Sequence, residues 1–89
     1  MSEAHETRLR RLRMRSWRRG MKEMDMILGG FADDRLAGLD AKALDEHEAL
    51  MAEGDQQLYA WITGREQAPE HHSAALNRIL AHIGEIKSI

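Results

Sequence analysis

The 89-residue chain has no cysteine, one proline and only four aromatic residues: two tryptophans, one tyrosine and one phenylalanine. Without cysteine there is no disulfide, no thiolate nucleophile and no thiolate metal ligand, a composition that fits a reducing compartment. No apolar run approaches the roughly 18–20 residues that a membrane-spanning helix needs, so no membrane insertion is expected. Nothing alternates with period two over a useful length, which removes the strand signature. The Gly29-Gly30 pair lacks the preceding strand and the lysine of a phosphate loop. Serines stand only at 2, 16, 73 and 88, none of them with a histidine at nucleophile–base spacing. No catalytic residues are expected, and an enzyme is argued against. A chain this short buries only about 60–65% of the surface its unfolded form exposes, too little for a core that encloses a cofactor.

What the chain has in quantity is charge, unevenly placed. Its net charge is −2, but residues 1–22 carry seven arginines and Lys22 against two glutamates, a local balance of +6. The remaining residues carry −8. Such a split points to an electrostatically guided partner, or to a basic helix folding back on its own acidic body. The segment from Met1 to Glu6 is polar and lacks the apolar centre of a secretory signal. An arginine-rich transit peptide is the rival reading, but the basic stretch runs into the next segment without a removable leader. The expected location is therefore cytoplasmic rather than the mitochondrial matrix.

Hydrophobic periodicity predicts an all-α fold, a single small domain over 1–89 built as a five-helix bundle. The first helix runs from Glu6 to about Trp17, with Leu9, Leu12 and Ser16 on one narrow face. The second runs from Met21 to about Arg35, with Met24, Leu28 and Phe31 inward and Met26 outward. Gly29-Gly30 marks either a close helix crossing or a fraying point, and Asp33-Asp34 begins a turn. Asp40 caps a third helix that reaches about Glu53, with Leu44, His47, Leu50 and Met51 inward, and Gly54 closes it. Asp55 caps a short fourth helix bearing Leu58 and Trp61, which Gly64 ends. After the proline-bearing link a last helix spans Glu70 to about Lys87, its core face being Leu76, Ile79, Leu80 and Ile83.

Between the first two helices lies Arg18-Arg19-Gly20-Met21-Lys22-Glu23-Met24-Asp25. Glycine tolerates dihedrals and backbone approaches that other residues avoid. Arg19 and Glu23 are four apart and share a face if the second helix starts early enough. One reading is a corner with a surface ion pair worth under about 1 kcal/mol. The other is an exposed recognition patch, an arginine fork beside a carboxylate.

The extended pattern Arg15-Ser16-Trp17-x-Arg19-Gly20-x-x-Glu23-x-Asp25-x-x-Leu28-Gly29-x-Phe31 resembles the signature of the succinate dehydrogenase assembly factor family. These are the SdhE-type flavinylation factors, called assembly factor 2 in mitochondria. Asp55-x-x-Leu58-x-x-Trp61-Ile62-x-Gly64 adds to the likeness, which covers about residues 8–83. The resemblance implies a factor that docks on the flavoprotein subunit of succinate dehydrogenase, or of fumarate reductase in some bacteria. There it promotes covalent attachment of FAD to a histidine of that subunit by holding its domains in a favourable arrangement. Arg19, Gly20 and Glu23 are then the motif residues, with Trp17, Arg18 and Asp25 as partner-binding neighbours. The chain itself is expected to hold no cofactor stably and to be monomeric when free. Arg18, His47 and Gly54 depart from the family's usual residues.

Two other functions compete. The arginine helix is able to contact phosphates of a nucleic acid, but the net charge is negative and no recognition module is present. A structural helical adaptor is the third reading. No metal is expected: adjacent His71-His72 diverge by about 100° on a helix, and His5 and His82 have no suitably spaced companion. Trp61 reads as core, whereas Trp17, beside arginines, is divided between core and interface.

Overall fold

In the computed structural model, which describes residues 3–87 (side chains 3–85), the chain is all-α with five helices, as expected, and no strand occurs among the described residues. The residues cluster into two compact units, one ending at Leu39 and the other starting at Asp40.

The first unit contains α1 (His5–Ser16) and α2 (Lys22–Arg35), followed by a 3₁₀ turn over Leu36–Gly38. Leu12 and Ser16 are buried on α1, and Met24, Leu28, Gly29, Phe31 and Ala32 on α2. These spacings of three, four and seven residues place each set on one face, and the two faces pack together. The buried Ser16 hydroxyl donates to the Leu12 carbonyl at 2.8 Å, so its polarity is satisfied within its own helix. Helix α2 runs unbroken through Gly29-Gly30, and Asp33-Asp34 lies inside it. The expected turn there is displaced to Leu36, whose side chain is buried.

The second unit contains α3 (Ala41–Met51), α4 (Asp55–Ile62), a 3₁₀ turn over Glu70–His72 and α5 (Ser73–Lys87). Asp40 caps α3 as predicted, its carboxylate accepting from the Ala43 N–H at 2.8 Å. Gly54 does not close that helix. It holds an extended conformation (φ −69°, ψ 152°) at the N-cap of α4, and Asp55 is the first helical residue. An acid there still opposes the helix dipole. Gly64, at φ +76°, ends α4 as expected. The Arg65 N–H reaches the Ala60 carbonyl at 2.9 Å and the Gly64 N–H reaches that of Trp61 at 3.3 Å, the paired bonds of a glycine-closed helix end.

On α5 the buried face is Ala75, Leu76, Ile79 and His82, while Leu80 is 37% exposed and Ile83 half-buried. Leu80 follows Ile79 by about 100° of helix rotation, which carries it off the stripe of Leu76, Ile79 and His82. His47 and His72 are also buried in this unit. Burial lowers the His47 pKa to about 4, with the Arg78 guanidinium adding to the effect and Glu48 opposing it. A neutral imidazole therefore takes the place of an apolar core residue.

Leu58 is fully buried, and Leu58→Ala should cost about 2–5 kcal/mol in urea unfolding; a loss below 1 kcal/mol contradicts that packing. His47 makes the fold acid-sensitive. The folded state keeps it neutral while the unfolded chain protonates near 6.5, so its stabilising contribution is intact above pH 6.5 and is lost as pH falls toward 4. Unfolding of wild type and His47→Phe measured across that range should diverge by up to about 3 kcal/mol, with wild type the more acid-sensitive. Parallel curves contradict this.

Candidate functional site

The link from α1 to α2 is a tight corner. The last turn of α1 narrows, with the Trp17 N–H shared between the Arg13 and Met14 carbonyls and the Arg18 N–H on that of Arg15 at 3.3 Å. Gly20 then adopts φ +96°, a region L side chains enter only with strain. Open space surrounds it: nothing lies within 4 Å of where its Cβ would stand. Within the chain, the constraint on Gly20 is its dihedral angle and not the space around it. Helix α2 starts only at Lys22, with Met21 in its N-cap position and making no side-chain cap.

Arg19 therefore precedes the helix, and the early helix start that a shared face of Arg19 and Glu23 requires is not met. Glu23 is exposed and makes no hydrogen bond or ion pair to another described residue. Asp25 reaches back instead: its Oδ1 accepts the Arg19 backbone N–H at 2.6 Å. This charge-assisted bond closes the corner, and it uses a main-chain donor that any residue but proline would supply at 19.

Trp17 is decided by Gly29. A Cβ at Gly29 would stand 2.7 Å from Trp17 Cε3 and closer still to Cδ2 and Cε2, so the indole ring lies directly on the bare α2 backbone. One turn further along α2, Asp33 Oδ1 accepts from Trp17 Nε1 at 3.3 Å and from Arg13 Nε at 2.6 Å. Trp17 nevertheless remains 43% exposed. Arg18 is exposed and Arg19 half-buried. Arg15, Arg18, Arg19 and the exposed Met14 line a shallow depression of about 320 Å³. All six predicted residues thus belong to one corner, with Trp17, Arg18, Gly20 and Glu23 at the surface and Arg19 and Asp25 partly covered.

Gly29 and Asp33 were not expected to shape this site. Their signal was present, because residues four apart on α2 share a face, but nothing in the sequence said that Trp17 would cover it. The arginine helix is part-neutralised, as the charge split suggested, by an acid of α2 and by one that precedes the helix. Arg13 pairs with Asp33, and Arg11 makes two bonds to Glu3 at 2.9 and 2.8 Å. Glu23 takes no part.

The geometry carries the residues of the signature quoted above. The chain matches, over residues 10–86, the family described as flavinator of succinate dehydrogenase. The chain belongs to this flavinator family. Relatives include succinate dehydrogenase assembly factor 2 of Schizosaccharomyces japonicus, 43% identical over 68% of this chain and 43% of that protein. The Mycosarcoma maydis protein of the same name is 34% identical over 91% of the chain and 37% of its own length. The FAD assembly factor SdhE of Acetobacter pasteurianus is 30% identical over 90% of the chain and 73% of its own length. The chain thus spans about half or less of the mitochondrial relatives it matches. No solved structure matches it significantly.

One expectation is overturned by these relatives. The proteins from both Schizosaccharomyces species, M. maydis and Candida glabrata are all named mitochondrial, which points to that organelle and away from a cytoplasmic location. The cytoplasmic reading leaned on the lack of a leader, and a chain matching only part of its relatives carries no such inference. The flavinator family is one of assembly factors rather than catalysts, and nothing favours the nucleic-acid reading.

Two glycine variants test the corner. Gly29→Ala should expel the Trp17 ring, seen as a red shift and loss of structured tryptophan fluorescence, while helicity is kept. Gly20→Ala should cost about 1–3 kcal/mol through its dihedral alone; D-alanine placed there by chemical synthesis should restore stability. Equal effects of the two enantiomers contradict the dihedral explanation.

Proposed function

We propose that this chain binds the flavoprotein subunit of succinate dehydrogenase and promotes covalent attachment of FAD to it. The observation that carries the reading is the match to the flavinator family across residues 10–86, which includes the whole α1–α2 corner. The corner supplies the contact. Trp17 offers a flat aromatic surface held from below by Gly29 and from one edge by Asp33. Arg18 and Arg19, next to it in the chain, line a depression with positive charge, and Glu23 presents a carboxylate on the first turn of α2. Tryptophan and arginine are the residues that most often carry interface energy. A partner covering this corner would desolvate both signs of charge, so recognition depends on complementary groups opposite each.

The chain acts by binding and not by catalysis. The covalent bond forms within the flavoprotein, and the factor favours the domain arrangement in which it forms. FAD stays with the partner, the factor holding none stably, and fumarate reductase flavoproteins are further clients. The free chain is monomeric and neither binds nucleic acid nor inserts in membranes.

The test is reconstitution of the flavoprotein with FAD, with and without the chain, read as covalent flavin fluorescence after denaturation. Wild type should accelerate labelling. Glu23→Ala should keep stability within about 0.5 kcal/mol of wild type, as exposed charges do, and the half-buried Arg19→Ala within about 1 kcal/mol. The Arg19 main-chain bond to Asp25 survives its substitution. Both variants should nevertheless slow labelling about tenfold or more, the effect of truncating one charge in a covered pair. Full labelling by both would leave the corner without a role. Unfolding of both would make these residues structural.

A further inference from the structure

Glu53, His71 and His72 converge in the second unit. Glu53 stands in the link between α3 and α4, and the two histidines occupy the 3₁₀ turn that leads into α5. One donor atom from each lies within 4.8 Å of those of the other two. The His72 ring is only 3% exposed, with Nε2 2.7 Å from Glu53 Oε2. Trp61 packs beside it at 5.6 Å between ring centroids. The His71 and His72 rings lie 4.1 Å apart. In the 3₁₀ turn before α5 adjacent Cβ vectors still diverge, by about 120°, yet the two rings meet at 4.1 Å, so divergence of the backbone positions does not keep the imidazoles apart.

We propose that Glu53, His71 and His72 form a site for one divalent first-row transition ion, of the zinc or copper class. Two imidazoles and a carboxylate are donors that suit these ions and not calcium or magnesium, which take oxygen ligands. Donors around a tetrahedral zinc stand about 3.3 Å apart, given bond lengths of about 2.0–2.1 Å. A set already within 4.8 Å closes on an ion by small side-chain rotations. The buried His72 is fixed in advance, which lowers the ordering cost of binding. The exposed His71 and the Glu53 carboxylate, 40% exposed, leave the site open to solvent. A hydrogen bond between His72 and Glu53 explains those two residues but gives His71 no reason to lie over them. Three protein donors leave a fourth position for water or for a side chain of another molecule. A bound ion would tie the α3–α4 link to the turn that starts α5.

The experiment uses the full chain without an affinity tag. Zinc is titrated calorimetrically, and copper is titrated against tryptophan fluorescence in a Trp17→Phe background, where Trp61 is the reporter. One ion per chain should bind with a micromolar or tighter dissociation constant, raise the melting temperature and quench Trp61. His71→Ala, a surface change, should melt like the metal-free wild type yet weaken zinc binding about tenfold or more. Glu53→Gln should weaken it as well. Absence of zinc binding by wild type at about millimolar metal, or binding equally strong in both variants, would overturn the proposal.

Discussion

The Trp17 ring resting on the bare backbone of Gly29 is the contact on which the recognition corner depends. Any side chain at 29 would occupy the volume of the indole. With the ring in place, its N–H meets Asp33, and the same carboxylate oxygen takes the Arg13 guanidinium. Two residues from the end of α1 are thus tied to one face of α2. The result is a large aromatic that is ordered on one side and open on the other. An aromatic already immobilised in the free protein loses little conformational freedom when a partner covers it, and this raises affinity without adding contacts.

Charge is distributed in the corner by the same logic. Asp25 is committed to the Arg19 main-chain N–H, so it fixes the turn and leaves the Arg19 side chain to other interactions. Asp33 and Glu3 hold Arg13 and Arg11. Glu23 stands apart, although it sits where the helix dipole favours an acid. A surface ion pair between Arg19 and Glu23 would have contributed little to stability and would have covered both groups. With the two separate, the Glu23 carboxylate is exposed on the first turn of α2, beyond a rigid glycine turn. The corner thus has features of a binding surface that a merely stabilising ion pair would lack.

What the sequence disclosed follows from which signals are local. Helix periodicity, the Asp40 cap and the Gly64 stop depend on residues within one turn of each other, and all three were legible. Most residues expected to face inward, including Leu12, Leu28, Leu58 and Ile79, are buried, and Leu80 and Ile83 are the exceptions on α5. Leu80 was misplaced because Leu76 has apolar neighbours at both +3 and +4, and periodicity alone does not choose between Ile79 and Leu80. The buried His82 settles the face, but a histidine reads as polar. Gly54 was misjudged because glycine occurs at both helix ends, and its extended dihedrals were not visible. In the corner, the motif residues were found, but their interactions were not. The i, i+4 rule was applied to Arg19 across a helix start that lies after it, and the Trp17–Gly29 contact joins residues twelve apart.

The two units also differ in how they accommodate polar groups, and this bears on function. In the first, the polar residues that matter are at the surface, and the buried exception, Ser16, bonds within its own helix. In the second, three histidines are buried. Burying an imidazole is unfavourable unless it stays neutral or finds a partner. His47 takes the first course and His72, on Glu53, the second. A leucine or phenylalanine would fill such space without either requirement. Apolar packing alone therefore does not account for His72, whose ring is held against a carboxylate with a second imidazole beside it. Stability in this unit rests on Leu44, Leu50, Leu58 and Ile79, none of which belongs to the corner. Substitutions at Trp17, Arg19 or Glu23 leave that core's composition untouched, so a loss of partner binding in those variants reports on the corner itself.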